Sequence, residues 1–180
     1  MDAEIFRRIL SSKNFTTAGK NLREEIALMT RNLCTMNYHP SLLEPLTACR
    51  LIPLNKNPGV RPIGVGEVLG RIMGKAVSWE LKEDIKDAAG PLQTCAGHGA
   101  GAEAAIHAMK IIYDDEGSDA VLLIDATNAF NSLNRVSSLK NIQHICPEFA
   151  VYLINTYRQP AKLFISNSGG QFIMSEEGTT

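Results

Sequence analysis

Apolar residues recur along residues 20–37 at Leu22, Ile26, Met29 and Leu33, the spacing of one helix face, so an amphipathic helix is expected there. Thr16 or Thr17 stands where a side-chain cap belongs, and His39-Pro40 ends the segment, because proline disfavours helical backbone in the residue before it. Residues 48–54 (ACRLIPL) read as a strand, Asn57-Pro58-Gly59 as a turn, and Arg61-Pro62-Ile63 as resumed extended chain. A second helix is expected over about 67–87, carried by Leu69, Ile72, Met73, Ala76 and Leu81. Gly97-His98-Gly99-Ala100-Gly101 is a loop leading into the small-residue helix AEAAIHAMKIIY, which Asp114-Asp115-Glu116-Gly117 closes. Residues 120–124 (AVLLI) are an unbroken apolar run and the clearest buried strand in the chain. Helices over about 133–145 and 148–157, split by Pro147, precede a hairpin over 161–174 with Asn167-Ser168-Gly169-Gly170 at its tip. Helix pairs mixed with adjacent strands predict an α+β fold, a mixed sheet covered by helices.

At 180 residues the chain can bury roughly 70% of its unfolded surface, and 44% hydrophobic with 21% charged residues is the balance of a soluble globular protein. The net charge of -1 hides an asymmetry. Residues 1–82 hold 12 Lys/Arg against 7 Asp/Glu, and residues 83–180 hold 6 against 12. A basic half beside an acidic half suits a protein that grips phosphates on one side and cations on the other. On charge alone, chance clustering of solvated side chains is the stronger account. The four cysteines, Cys34, Cys49, Cys95 and Cys146, form no C-x-x-C pair, so neither a zinc site nor a disulfide framework is expected, and reduced, intracellular thiols are. MDAEIFRRIL has no signal-peptide core, and no apolar run reaches ~18 residues, so no membrane span or membrane partner is expected.

Asp125 ends the apolar run Ala120–Ile124. A carboxylate at the tip of a core strand must be paired or hold a metal, and its hard oxygens suit Mg²⁺. The plainer reading is an Asp that opens a turn and caps the next helix, with Asn128 or Ser132 sharing that work. From these residues alone the two readings stand level.

The surroundings of Asp125 separate them. Asp125-Ala126-Thr127-Asn128-Ala129-Phe130-Asn131 resembles motif A of reverse transcriptases, in which an Asp follows an apolar strand and Ala-Phe arrives four and five residues later. Upstream, Arg50 to Ile63 (RLIPLNKNPGVRPI) is similar to the fingers motif of the non-LTR retrotransposon and group II intron enzymes. Downstream, Glu177-Gly178-Thr179-Thr180 looks like the run-in to motif B. The three stand in family order, so the resemblance covers about residues 48–180. It implies right-hand polymerase fingers over 48–118 and a partial palm over 119–180, behind an N-terminal helical extension over 1–47.

The family's roles then fall on particular residues. The resemblance implies that Asp125 is catalytic and, with the Ala126 carbonyl, binds Mg²⁺ at a two-metal site for nucleotidyl transfer. It implies that Lys56 and Arg61 hold the dNTP triphosphate, one as a point charge and one as a fork, and that Phe130 is the steric gate against a 2′-hydroxyl. It places Arg71 and Lys75, four apart on one helix face, near an RNA or DNA template–primer, through salt-sensitive phosphate contacts. The plain alternatives are a core aromatic for Phe130 and solvated cations for the rest. The departures are two. The sequence ends at Thr180, before the Gln-Gly the family places next, and it holds no aromatic-x-Asp-Asp. One of three metal-binding carboxylates is present, so no activity is expected of these residues alone. Asp114, Asp115 and Asp119 lie at the far end of the expected strand, about 20 Å from Asp125, and read as a solvated loop.

Other signals are weaker. Gly97-x-Gly99-x-Gly101 misses dinucleotide spacing, and Glu103 with His107 lacks a third metal ligand. A phospho-accepting receiver domain built on Asp125 lacks its acidic pair and its lysine. A remnant without enzymatic activity, binding nucleic acid through Lys56, Arg61, Arg71 and Lys75, remains the alternative from another class.

Overall fold

The helical spacing at Leu22, Ile26, Met29 and Leu33 becomes helix α2 (Thr16–Thr35) in the computed structural model, which describes residues 3–11, 13, 16–117 and 119–179. A short α1 (Ala3–Ile9) precedes it, and Arg23 donates to the Leu10 carbonyl at 2.7 Å between the two. Helix α3 (Pro40–Thr47) follows. The sequence offered no helix there, because its eight residues are too few to show a period and Pro45 lies inside. Pro40 stands at the first helical position, where its missing N–H is no loss, and His39 Nδ1 accepts from the Ser41 N–H as the cap. His39-Pro40 therefore starts a helix, while α2 has already ended at Thr35.

Strands β1 (Cys49–Asn55) and β2 (Val60–Gly66) flank the expected turn and pair across it as an antiparallel hairpin, in register from Cys49 opposite Gly66 to Asn55 opposite Val60. The helix expected over 67–87 is two, α4 (Val68–Glu80) and α5 (Lys82–Ala89), which meet at Leu81. Helix α6 (Gly101–Tyr113) follows the glycine loop. Gly101 is buried, and any Cβ there would run into the Thr94 carbonyl, so this glycine serves backbone packing rather than phosphate binding. Helices α7 (Arg135–Ile145) and α8 (Pro147–Tyr157) and strands β3 (Ala161–Ile165) and β4 (Phe172–Ser175) complete the order.

The four strands make one mixed sheet, β2-β1-β3-β4, with β1 and β3 parallel and both outer pairs antiparallel. With eight helices among the described residues, the chain is α+β. The core lies between the helices. Leu33 of α2, Leu43 of α3, Met73 and Val77 of α4 and Tyr152 of α8 bury together, with Met73 only 1% exposed. Leu33 and Leu43, from the residues before 48, thus share a core with α8. Asn155 of α8 fixes them there: its amide donates to the carbonyls of Leu33 (2.9 Å) and Met36 (2.8 Å) and accepts from the Tyr38 N–H (3.2 Å).

One expectation fails outright. Residues 120–124 form no strand, and Leu122, Leu123 and Ile124 are 82, 85 and 84% exposed. A strand needs a neighbour for its N–H and C=O groups. Both sides of β1 and β3 are already taken, and Ala120–Ile124 pairs with neither edge of the sheet. Val121 and Leu123 face α6 instead, beside Ile106, Met109 and Tyr113. The apolar run announced a need for burial but not a partner.

Candidate functional site

The β1–β2 hairpin presents the two expected phosphate ligands. Its turn is closed by the Lys56 N–H donating to the Gly59 carbonyl at 2.9 Å, which puts Lys56 in the turn, and Arg61 pairs with Leu54 just inside it. Both side chains are exposed, and no hydrogen bond or ion pair among the described residues engages either. Arg71 and Lys75 stand exposed one turn apart on α4. Five residues of β2, about 16 Å of extended chain, separate Arg61 from Gly66 at the α4 end. The two basic pairs therefore lie toward opposite ends of the hairpin.

Asp125 and Ala126 are exposed in irregular chain, followed by a tight turn. Asn128 adopts left-handed backbone (φ 51°), and its carbonyl accepts from Asn131 N–H (2.9 Å), Ser132 N–H (3.0 Å) and Ser132 Oγ (2.9 Å). Asn134 caps α7, its Oδ1 accepting from the Ser137 N–H at 2.9 Å. Neither Asp125 nor Ser132 has that role. The turn holds the Phe130 ring in solvent, 79% exposed, so Phe130 is not a core aromatic among the described residues.

The turn does not stand alone. The Thr179 N–H donates to the Phe130 carbonyl and the Gly178 N–H to the Leu133 carbonyl, each at 2.8 Å. Gly178 has φ +76°, and a Cβ there would sit 2.5 Å from the Phe130 carbonyl oxygen. Only glycine lets this bend of the chain lie so close. The structure thus joins Phe130, Gly178 and Thr179, while Thr180 lies outside the described residues. No hydrogen bond or ion pair among the described residues ties this assembly to Lys56, Arg61, Arg71 or Lys75.

Arg135, the first residue of α7, was legible in the sequence only as part of a helix. It is buried at 6% exposure, and its fork reaches two other chain segments, Gln159 and residues 175–178. Nε donates to the Gly178 carbonyl (2.7 Å), Nη1 to the carbonyls of Gln159 (3.2 Å) and Ser175 (2.9 Å), and Nη2 to Ser175 Oγ (3.0 Å) and the Glu177 carbonyl (3.1 Å). All five N–H groups are used. Burial lowers the guanidinium's pKa, opposed by Tyr157, over whose ring it lies at 5.7 Å. Burial in turn raises the Tyr157 phenol, with Arg135 acting against that shift.

As a metal site the described residues are incomplete. Asp125 offers one carboxylate, and no three His, Cys, Asp or Glu among the described residues group to hold an ion. Asp114, Asp115 and Asp119 are exposed in irregular chain; the 20 Å separation expected along a strand lapses with the strand. The donor set among the described residues thus falls short of a two-ion Mg²⁺ centre. No family model, curated protein or solved structure matches the chain.

Proposed function

We propose that these residues are the fingers and part of the palm of a reverse transcriptase, a surface that receives a template–primer and a dNTP. The observation that carries this reading is the junction of two segments that resemble the family separately. The Phe130 turn and the Gly178-Thr179 run-in lie about 48 residues apart in sequence and meet through two backbone hydrogen bonds. An exposed ring on a pinned backbone suits a gate that a sugar must pass. Lys56 and Arg61, unpaired at a hairpin tip, suit a triphosphate. Arg71 and Lys75 suit template phosphates. Asp125 and the Ala126 carbonyl are the positions this reading assigns to Mg²⁺, and two further carboxylates must join them before chemistry can occur.

Incubation of this chain with primed template, Mg²⁺ and dNTPs tests the assignment. No primer extension is expected, since one carboxylate cannot serve two ions. Robust extension would overturn that reasoning. Template–primer binding should weaken as salt rises, and Arg71→Ala or Lys75→Ala should each lower the slope of log affinity against log salt by about 1. A second reading, nucleic-acid binding without catalysis, is favoured because no three His, Cys, Asp or Glu side chains group to hold an ion among the described residues. The two readings part at the nucleotide, because only a polymerase surface needs to prefer deoxyribose.

A further inference from the structure

We infer that Arg135 is a positioning residue, which holds the Phe130 turn in place through the strap formed by residues 175–179. Its use as part of a nucleotide gate rests on the reverse-transcriptase reading; the clamp itself does not. A buried arginine without a carboxylate partner is costly to keep. This one is satisfied entirely by oxygen atoms of the strap and of the chain leaving α8. Four of its five bonds go to Ser175, Glu177 and Gly178. The strap in turn donates Gly178 N–H and Thr179 N–H to the carbonyls of Leu133 and Phe130. Arg135 is two residues beyond Leu133, so the same short stretch of chain supplies both the fork and the carbonyls, and the strap is gripped from both sides. The planar fork matters: lysine has three donors around one atom and cannot reach four chain positions at once. Ser175 Oγ, itself an acceptor from Arg135, adds a bond within the strap by donating to the Glu177 carbonyl at 3.1 Å.

Amide hydrogen exchange on the whole chain tests the clamp. In Arg135→Lys, exchange at Gly178 and Thr179 should quicken roughly tenfold or more, while amides of α2 and α8 around Leu33 and Tyr152 change by less than about twofold. A uniform acceleration overturns the proposal, because Arg135 would then support only the fold, and so does no change at Gly178 and Thr179. Should Arg135→Lys fail to fold, Ser175→Ala, which removes a single hydroxyl partner, should show the same selective pattern at several-fold size, and its absence overturns the proposal equally. Titration of the same proteins with a dNTP and the matching ribonucleotide separates the two readings. A deoxy preference in the wild type that narrows in Arg135→Lys supports the gate role, whereas a wild type without preference overturns that role and leaves exchange to decide the clamp.

Discussion

Asn155→Ala should release the N-terminal helices from α8 and cost about 3 kcal/mol. The side chain is 6% exposed and makes three hydrogen bonds, all to backbone groups between Leu33 and Tyr38, at the end of α2 and the approach to α3. Truncation leaves the Leu33 and Met36 carbonyls and the Tyr38 N–H without that partner. Each buried polar group left unsatisfied costs about 1–3 kcal/mol, and the bonds to Met36 and Tyr38 are only part-buried, so water offsets some of their loss. A low value per group, about 1 kcal/mol, gives about 3 for the set. With a urea slope of about 2 kcal/mol per molar, the unfolding midpoint should fall by about 1.5 M at unchanged slope. Asn155→Asp should be worse, since a carboxylate replaces the donor and faces the two carbonyl oxygens. Urea titration followed by circular dichroism reads both variants. A midpoint within about 0.2 M of wild type for Asn155→Ala would refute the latch, because the loss of three bonds cannot be that small if the groups are desolvated.

Two further outcomes follow from the same core. Burial, with smaller contributions from Cys34 and Tyr157, pushes the Tyr152 phenol from its ordinary 10 up to about 12. The folded state then holds that proton more tightly than the unfolded state, so stability is intact below pH 10 and falls as pH rises toward 12, by at most about 3 kcal/mol. Denaturation midpoints across that window should flatten in Tyr152→Phe, and an unchanged pH dependence would remove Tyr152 as the cause. Met73→Ala, at the least exposed large side chain, should cost about 2–5 kcal/mol, read as a fall in thermal midpoint. A shift equivalent to less than about 1 kcal/mol would mean that the site collapses around the missing atoms.

The parts of the fold legible in the sequence are those whose signal is local. Helix α2 shows its period over twenty residues, and the hairpins at Asn57-Pro58-Gly59 and Asn167 to Gly170 carry their turn residues between extended runs. Helix α3 is too short for a period, and no breaker marks Leu81, where α4 gives way to α5. The run Ala120–Ile124 misled because apolarity speaks of burial, while a strand also needs a free sheet edge beside it. The site divides the same way. Lys56 and Arg61 could be placed from a turn, and Phe130 from its spacing to Asp125. Arg135 and Asn155 could not, because their partners lie 24–43 and 117–122 residues away, and nothing in the flanking sequence records a bond to distant backbone.

The most direct test of the polymerase assignment is equilibrium titration of the 180-residue chain with a dNTP and its ribonucleotide counterpart, in wild type, Arg61→Ala and Phe130→Val. The assignment predicts tighter binding of the dNTP, a loss of roughly tenfold for both nucleotides in Arg61→Ala, and equal affinities in Phe130→Val. Absence of binding, or affinities that neither substitution alters, would contradict it.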